Sequence, residues 1–263
     1  MRLMRELWAY RGFVLSSVKR EFQIKYTDSL FGFAWNVINP LAMIIVYTVI
    51  FAQVMRAKLP GVDNTFAYSI FVCAGILTWG LFAEITGRSQ TMFIENANLL
   101  KKLRFPRICL PAVVVANALL NFTIVFTLFT AFLLISGNFP GPAYFALFPL
   151  LVLLLAFSTG LGMVLGVLNV FFRDVGQAFG IMITFWFWFT PIVYSPTILL
   201  PWVQKLMAFN PLAAFIGAVQ GVLVRGAWPA WGNLSYMAGC ALLLCFFGLR
   251  LFREHSAEMV DEL

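Results

Sequence analysis

The chain alternates between long runs of apolar residues and short polar segments. Most runs approach or exceed the roughly 20 residues that a helix needs to cross a hydrocarbon core about 30 Å thick. Polar and apolar residues do not alternate within them, as they do in membrane β-barrels, so the pattern predicts helices. We predict an all-α polytopic membrane protein, one transmembrane domain over residues 1–263. Its spans, about six, are predicted at residues 30–54, 66–87, 110–135, 144–172, 175–190 and 231–249.

Two further segments have patterns that differ from those of the membrane spans. Residues 1–29 place apolar residues at near-helical spacing, with basic residues largely elsewhere, which predicts an amphipathic helix lying in the membrane interface. A flexible basic tail is the alternative for this segment. Residues 191–229 are apolar but repeatedly interrupted by proline, which predicts short re-entrant helices on the outer side, shielded by protein.

Composition and charge exclude a soluble enzyme and orient the chain. Hydrophobic residues make up 62% of the chain and charged residues 11%, against roughly half and about a quarter in average globular proteins. On the predicted topology, all but four of the 18 lysine and arginine residues lie on the side of both termini. The positive-inside rule makes that side cytosolic. The net charge of +7 therefore indicates orientation, and we expect no nucleic-acid partner.

The most charged stretch follows the second predicted span. Within residues 91–105, apolar residues recur at helical spacing, which predicts a short amphipathic cytosolic helix. Its apolar face comprises Phe93, Ala97, Leu100 and Leu103. Its polar positions include Glu95, Asn98, Lys101 and Lys102. Such a helix is suited to docking a cytosolic partner. The alternative for the same pattern is a basic anchor that binds lipid headgroups.

Ionisable residues are nearly absent from the predicted spans, which disfavours ion-coupled transport. Glu84 is the exception, and Arg88 follows four residues later on the same helical face. The two residues are predicted to form a structural ion pair or to take part in coupling or gating. The sequence contains no Walker A motif, so any ATP that drives this protein is hydrolysed on another polypeptide. We also find no metal-site spacing and no arrangement for nucleophilic catalysis, and we predict no enzymatic activity.

Aromatic residues make up 17% of the chain. Phe185, Trp188 and Phe189 share one helical face. Aromatic rings pair an apolar face with polar tips, so this face is suited to stacking on sugars in a conduit. Tryptophan and tyrosine are also enriched at both membrane interfaces in most membrane proteins. A place in this interfacial belt, or in helix packing, is therefore the alternative for these residues. Small-xxx-small spacing at Gly162/Gly166, Gly176/Gly180 and Gly217/Gly221 predicts close helix contacts.

Four segments resemble one known family, in order along nearly the whole chain. These segments are Lys25–Gly32, Glu95–Pro106, Asn169–Asp174 and Thr190–Pro196. They are similar to segments of the membrane subunits of ATP-binding-cassette exporters for bacterial surface polysaccharides, including O-antigen, capsule and teichoic acid.

The resemblance implies a half-transporter in the bacterial inner membrane: two copies form the pathway and two cytosolic ATPase subunits drive it, with ATP and Mg²⁺ bound there. Its substrate would be an undecaprenyl-linked polysaccharide, among which we favour O-antigen. The residues implied in coupling to the ATPase are Glu95, Asn96, Asn98, Lys101, Lys102 and Arg104. Candidate gating or ion-pair residues are Glu84, Arg88, Arg173 and Asp174, and candidate conduit residues are Trp79, Phe82, Phe185, Trp188, Phe189 and Tyr194. A small-lipid or drug exporter of the same superfamily and an ATPase-independent flippase are the alternatives.

Overall fold

A computed structural model describes residues 8–26, 32–50, 59, 64–102, 106–256 and 258–262. The α-helices of this part of the chain, numbered in chain order, are α1 (Arg11–Tyr26), α2 (Trp35–Thr48), α3 (Ala67–Glu95), α4 (Ala97–Lys102), α5 (Cys109–Ile135), α6 (Leu147–Phe171), α7 (Asp174–Trp188), α8 (Pro201–Met207), α9 (Pro211–Arg225), α10 (Ser235–His255) and α11 (Glu258–Glu262). Short 3-10 turns precede α2, α6 and α10, and another lies between α7 and α8. The predicted all-α fold class is confirmed, because the described residues contain helices and no strands.

The predicted number of about six spans is not confirmed. Four helical stretches are long and apolar enough to cross a membrane: Ala67–Glu95, Cys109–Ile135, Gly141–Phe171 and Trp231–His255. A fifth is counted if α8 and α9, which meet at a bend of 97°, form one broken span. The first and fifth predicted spans contain α2 and α7, of 14 and 15 residues. At 1.5 Å per residue these helices are about 21–23 Å long, short of a full hydrocarbon core.

Helix α3 lies at the centre of the bundle and packs against α5, α6 and α9, while α6 also packs along α10. The main hydrophobic core contains fully buried large side chains such as Phe82 on α3, Leu154 on α6 and Phe215 on α9. Helix α5 is peripheral and touches α1 and α2 as well as α3. These contacts leave α1, α2 and α7 on the outside of the single chain.

Glycine allows α6 to approach its two main neighbours closely. A Cβ atom on Gly166 would lie 2.5 Å from the carbonyl oxygen of Ser89 on α3, and one on Gly162 would lie 2.5 Å from the Ser89 Cβ. A Cβ on Gly160 would lie 2.7 Å from the backbone nitrogen of Cys245 on α10. The predicted close contact at Gly162 and Gly166 is therefore confirmed, because only a residue without a side chain fits there.

The other two glycine pairs make different contacts. A Cβ on Gly176 would meet the side chain of Asn169, at the turn between α6 and α7, with a shortest distance of 2.9 Å. At Gly180, Gly217 and Gly221, a Cβ would meet no described atom within 4 Å. These three glycines therefore make no close contact with a neighbouring helix in the described part of the chain.

One end of the bundle, named here the α4 end, carries α1, α4 and α11. A second hydrophobic cluster lies at this end, separate from the main core. It joins the last turns of α3, α6 and α10 to the first turns of α5. The opposite end carries the turn between α5 and α6 and the bent pair α8–α9.

Candidate functional site

The loop predicted to contact a partner begins inside α3. That helix continues to Glu95 and ends at Asn96, whose φ of −101° and ψ of 18° are not helical. The Asn96 side chain donates its Nδ2 hydrogen bond to the carbonyl oxygen of Met92, at 2.8 Å. The backbone carbonyl of Asn96 accepts hydrogen bonds from the backbone N–H groups of Leu99 and Leu100. These bonds form the first turn of α4. Asparagine suits this break because its short amide competes with the backbone for hydrogen bonds.

The two faces of this segment differ in burial as an amphipathic helix requires. Phe93 and Leu100 are buried, at 0% and 8% exposure. Glu95, Asn98 and Lys101 are exposed. Arg104 lies outside the described residues, as does the side chain of Lys102. The coupling role of this surface stays a prediction, with an exposed polar face in place at the α4 end.

A cluster of polar side chains joins α1, α3 and α5 near that end. Arg88 forms an ion pair with Glu21 of α1. The predicted pair of Arg88 with Glu84 is present at 3.9 Å, a longer separation. Asn117 donates to Glu21 at 2.7 Å, and Asn121 donates to Glu84 at 2.6 Å. Each carboxylate is therefore held by the guanidinium of α3 and by one amide of α5.

The sequence analysis missed Glu21, Asn117 and Asn121. A signal for the two asparagines was available, because they stand four residues apart in the apolar helix α5 and therefore share a face. Polar residues inside a membrane helix usually find partners in the protein. Nothing in the sequence of α1 identifies Glu21 as the acidic partner, because this contact joins residues 67 positions apart.

The other predicted charged pair lies at the turn from α6 to α7. Arg173 and Asp174 are both exposed, and no ion pair of either side chain occurs among the described residues. The organising residue of this turn is Asn169, which is 4% exposed. Its Nδ2 donates to the carbonyl oxygen of Gln90 on α3 at 2.8 Å, and its Oδ1 accepts from the backbone of Gly176 on α7 at 2.9 Å. Asn169 thus fixes α3, α6 and α7 to one another.

Two of the predicted conduit residues lie inside the packed bundle. Trp79 and Phe82 of α3 are 8% and 0% exposed. Both contact Trp186 of α7 edge-on, with ring centroids 6.4 Å and 5.3 Å apart, a geometry that aromatic rings prefer. The Trp186 indole donates to Asn210 Oδ1 at 2.9 Å, and this oxygen also caps α9 at Leu212.

The remaining conduit candidates lie on the opposite face of α7 and just beyond it. Phe185 and Trp188 are 71% and 62% exposed, whereas Phe189 is partly buried. Tyr194 is also partly buried and donates its hydroxyl hydrogen to the Trp188 carbonyl at 2.6 Å. The exposed aromatic face of α7 is available to lipid, to a second chain or to a substrate. The conduit role of all six residues stays a prediction.

A buried amide of α9 contacts the proline-rich segment that follows α7. Gln220 of α9, 3% exposed, directs Nε2 at the carbonyl oxygens of Phe71 and Ile192, 3.2 Å and 3.1 Å away. A Cβ on Gly75 would lie 2.8 Å from that nitrogen, so glycine makes room for the contact. Irregular backbone at membrane depth needs such partners. Among the described residues, no group of three or more His, Cys, Asp or Glu could hold a metal ion.

Comparison with known proteins gives relatives along the full chain. A family model described as ABC-2 type transporter matches residues 13–224. The O-antigen export system permease protein RfbA of Myxococcus xanthus is 31% identical over 266 residues, which cover 100% of both chains. An RfbA of Klebsiella pneumoniae is 28% identical over 89% of this chain and 88% of its own.

A more distant relative is named for a different cargo. The polysialic acid transport protein KpsM of Escherichia coli is 21% identical over 245 residues, covering 92% of each chain. The family model covers well over half of the chain, and the 31% identity to the M. xanthus protein extends over its whole length. The chain therefore belongs to the ABC-2 type transporter family of membrane permeases.

Proposed function

We propose that this chain is the permease subunit of an ATP-driven exporter that moves lipid-linked O-antigen polysaccharide out of the cytosol. The observation that carries the proposal is the similarity to the O-antigen permease RfbA of M. xanthus over the whole of both chains. The similarity to RfbA of K. pneumoniae supports the same substrate class. These names favour a polysaccharide over a drug or a small lipid as the cargo.

The energy source in this proposal is a separate ATP-binding-cassette subunit. The chain has no Walker A motif. Its predicted spans contain too few ionisable residues to bind a coupling ion or proton. ATP and Mg²⁺ would bind the partner. The exposed polar face of Glu95, Asn98 and Lys101 is the proposed docking surface, because a rigid base of buried residues lies behind it.

The pathway in this proposal needs a second copy of the chain. The single bundle is filled by its own core, with Phe82, Leu154 and Phe215 fully buried at its centre. A long glycan therefore has no route through one chain, and a route between two chains is the alternative that leaves this core intact. We place the dimer in the bacterial inner membrane, with both termini in the cytosol and undecaprenyl as the lipid carrier.

The test replaces Lys101, Lys102 and Arg104 together by alanine. We expect the variant to insert normally, to capture several-fold less of the cognate ATP-binding-cassette subunit on co-purification, and to lose surface O-antigen. At roughly 0.5 kcal/mol for each of the three cations, their joint removal should weaken docking about tenfold.

The matched control removes charge from the opposite end of the bundle, by replacing Lys205 and Arg225 with alanine. This variant should bind the ATPase subunit and export polysaccharide as the unaltered protein does. Normal ATPase capture and normal O-antigen in the triple variant would refute the assignment of the docking surface. Growth of O-antigen on the cell surface in the absence of this chain would refute the proposed function itself.

A further inference from the structure

The C-terminal segment lies against the candidate docking helix. Helix α11 (Glu258–Glu262) contacts both α4 and the α4 end of α6. The preceding helix α10 ends at His255, so the chain turns back within a few residues to reach α4. The sequence analysis assigned no role to this segment.

One side chain of α11 is fully enclosed. Met259 is 1% exposed and belongs to the second hydrophobic cluster. That cluster also contains Leu100, the buried residue of α4, and Phe93, the last large buried residue of α3. Phe252 of α10 stacks on Phe93, with ring centroids 5.8 Å apart and planes 19° from parallel. Phe252, in the last turn of α10, and Met259 of α11 therefore both lie behind the docking face.

Helix α4 cannot hold its position by itself. It has six residues, and isolated helices shorter than about 12 residues are marginal in water. Its helical hydrogen bonds are exposed on the side of Asn98 and Lys101, so its order depends on the contacts of Leu100 on the other side. Methionine suits such a contact because its flexible thioether fills irregular space.

We infer that α11 is a brace for the docking helix, and that Met259 is a positioning residue that holds α4 in the orientation which the ATPase subunit binds. This inference rests on the proposed function, because it assigns part of the ATPase site to the C-terminal tail. Met259 does not touch the ATPase. It acts by keeping Leu100 packed, so that the polar face of α4 is presented as a rigid surface.

The experiment compares Met259→Ala, Met259→Leu and Met207→Ala in the full chain, purified in detergent. Met207 is 6% exposed in α8 at the opposite end, so its truncation is a matched loss of a buried methionine. Limited trypsin digestion reports on α4, because trypsin cleaves after Lys101, Lys102 and Arg104. Co-purification with the cognate ATP-binding-cassette subunit reports on docking.

We expect Met259→Ala to speed cleavage at residues 101–104 by about tenfold, since a buried methionine-to-alanine change costs more than the free energy of a tenfold shift. Captured ATPase should fall in proportion. Met259→Leu should restore both readouts, and Met207→Ala should alter neither. If Met259→Ala does not accumulate in the membrane, Met259→Val removes less volume and should give the same changes at smaller amplitude.

Unchanged cleavage at residues 101–104 in Met259→Ala would overturn the brace. So would faster cleavage with full ATPase capture, because α4 would then be free to move without consequence for docking. Failure of the unaltered chain to capture the ATPase subunit would refute the proposed function as well. The two failures are therefore distinguishable.

Discussion

At the scale of the residue, the polar cluster around Arg88 connects α1 to α3 and α5. Glu21, Glu84 and Arg88 place two carboxylates beside one guanidinium, so the carboxylates need further partners. Asn117 and Asn121 of α5 supply these partners by donating to the two carboxylates. The side chains of Arg88 and Glu21 are 37% and 39% exposed, so solvent weakens the ion pair without removing it. The contacts of Glu21 with Arg88 and Asn117 therefore fix the position of α1 against α3 and α5, and this cluster is called the latch below.

We expect Glu21→Ala to lower the free energy of unfolding by about 1 kcal/mol, and the unfolding midpoint in detergent by a few degrees. The physical reason is the joint loss of the Arg88 ion pair and the Asn117 hydrogen bond. Glu254→Ala is the control, because Glu254 pairs with Arg250 at 2.8 Å within α10 and both side chains are exposed. That change should leave the unfolding midpoint almost unchanged, because solvent screens an exposed ion pair. Equal midpoints for the two variants would contradict the latch.

At the scale of the element, α3 and α6 approach each other closely at the glycines near the α4 end. In a lipid environment the hydrophobic effect does not drive helices together, so close backbone approach and dispersion do most of the work. Gly162 and Gly166 let α6 lie against Ser89 of α3. One turn further along α6, Asn169 donates a hydrogen bond to the Gln90 carbonyl of α3. The end of α3 that leads into α4 is thereby fixed to α6.

Gly166→Ala tests this packing. Its added methyl group would lie 2.5 Å from a backbone oxygen, which no side-chain rotation can relieve, so we expect a loss of about 2 kcal/mol of stability. Gly217→Ala adds the same methyl group to a helix interior with no described atom within 4 Å. It should be neutral or stabilise by up to about 1 kcal/mol, since alanine favours helices over glycine. Thermal unfolding in detergent measures both, and a Gly166→Ala protein as stable as the unaltered one would contradict the close contact.

At the scale of the whole molecule, the aromatic residues divide into two populations. Trp79, Phe82 and Trp186 pack inside the bundle, where they hold α7 against α3. Phe185 and Trp188 lie on the other side of α7 and are exposed in the described part of the chain. We propose that this exposed aromatic face of α7 faces the second copy and the passing glycan. The buried population is fixed by packing and is not free to move with a substrate.

We expect Trp188→Ala to reduce surface O-antigen by about two- to tenfold, the range that corresponds to the 0.5–1.5 kcal/mol of one aromatic contact. Membrane insertion and ATPase capture should be unchanged, because the ring makes few contacts within its own chain. Trp228→Ala is the control, since Trp228 is also 62% exposed but lies in the loop between α9 and α10. Immunoblotting of surface polysaccharide measures both variants. Equal export by the two would assign Trp188 to the membrane belt.

Sequence predicted those features that depend on local pattern. Apolar runs gave the all-helical class, and the alternation of faces in residues 91–105 gave a buried Phe93 and an exposed Lys101. The i, i+4 spacing of Glu84 and Arg88 gave an ion pair, because both lie on one helix. The number of spans was less accessible, since α2 and α7 are apolar but too short, and composition does not report where a helix ends.

By itself, the sequence determined a helical membrane protein, because hydropathy is a property of consecutive residues. Only the tertiary structure decided which partners distant residues find: Glu21 with Arg88, Asn169 with Gln90, and Met259 with the cluster behind α4. It also decided which aromatics are enclosed, since one face of α7 packs against α3 and the other is exposed among the described residues. The physical reason is that such contacts join residues far apart in the chain, and their geometry is fixed by how helices pack rather than by any repeat along the sequence.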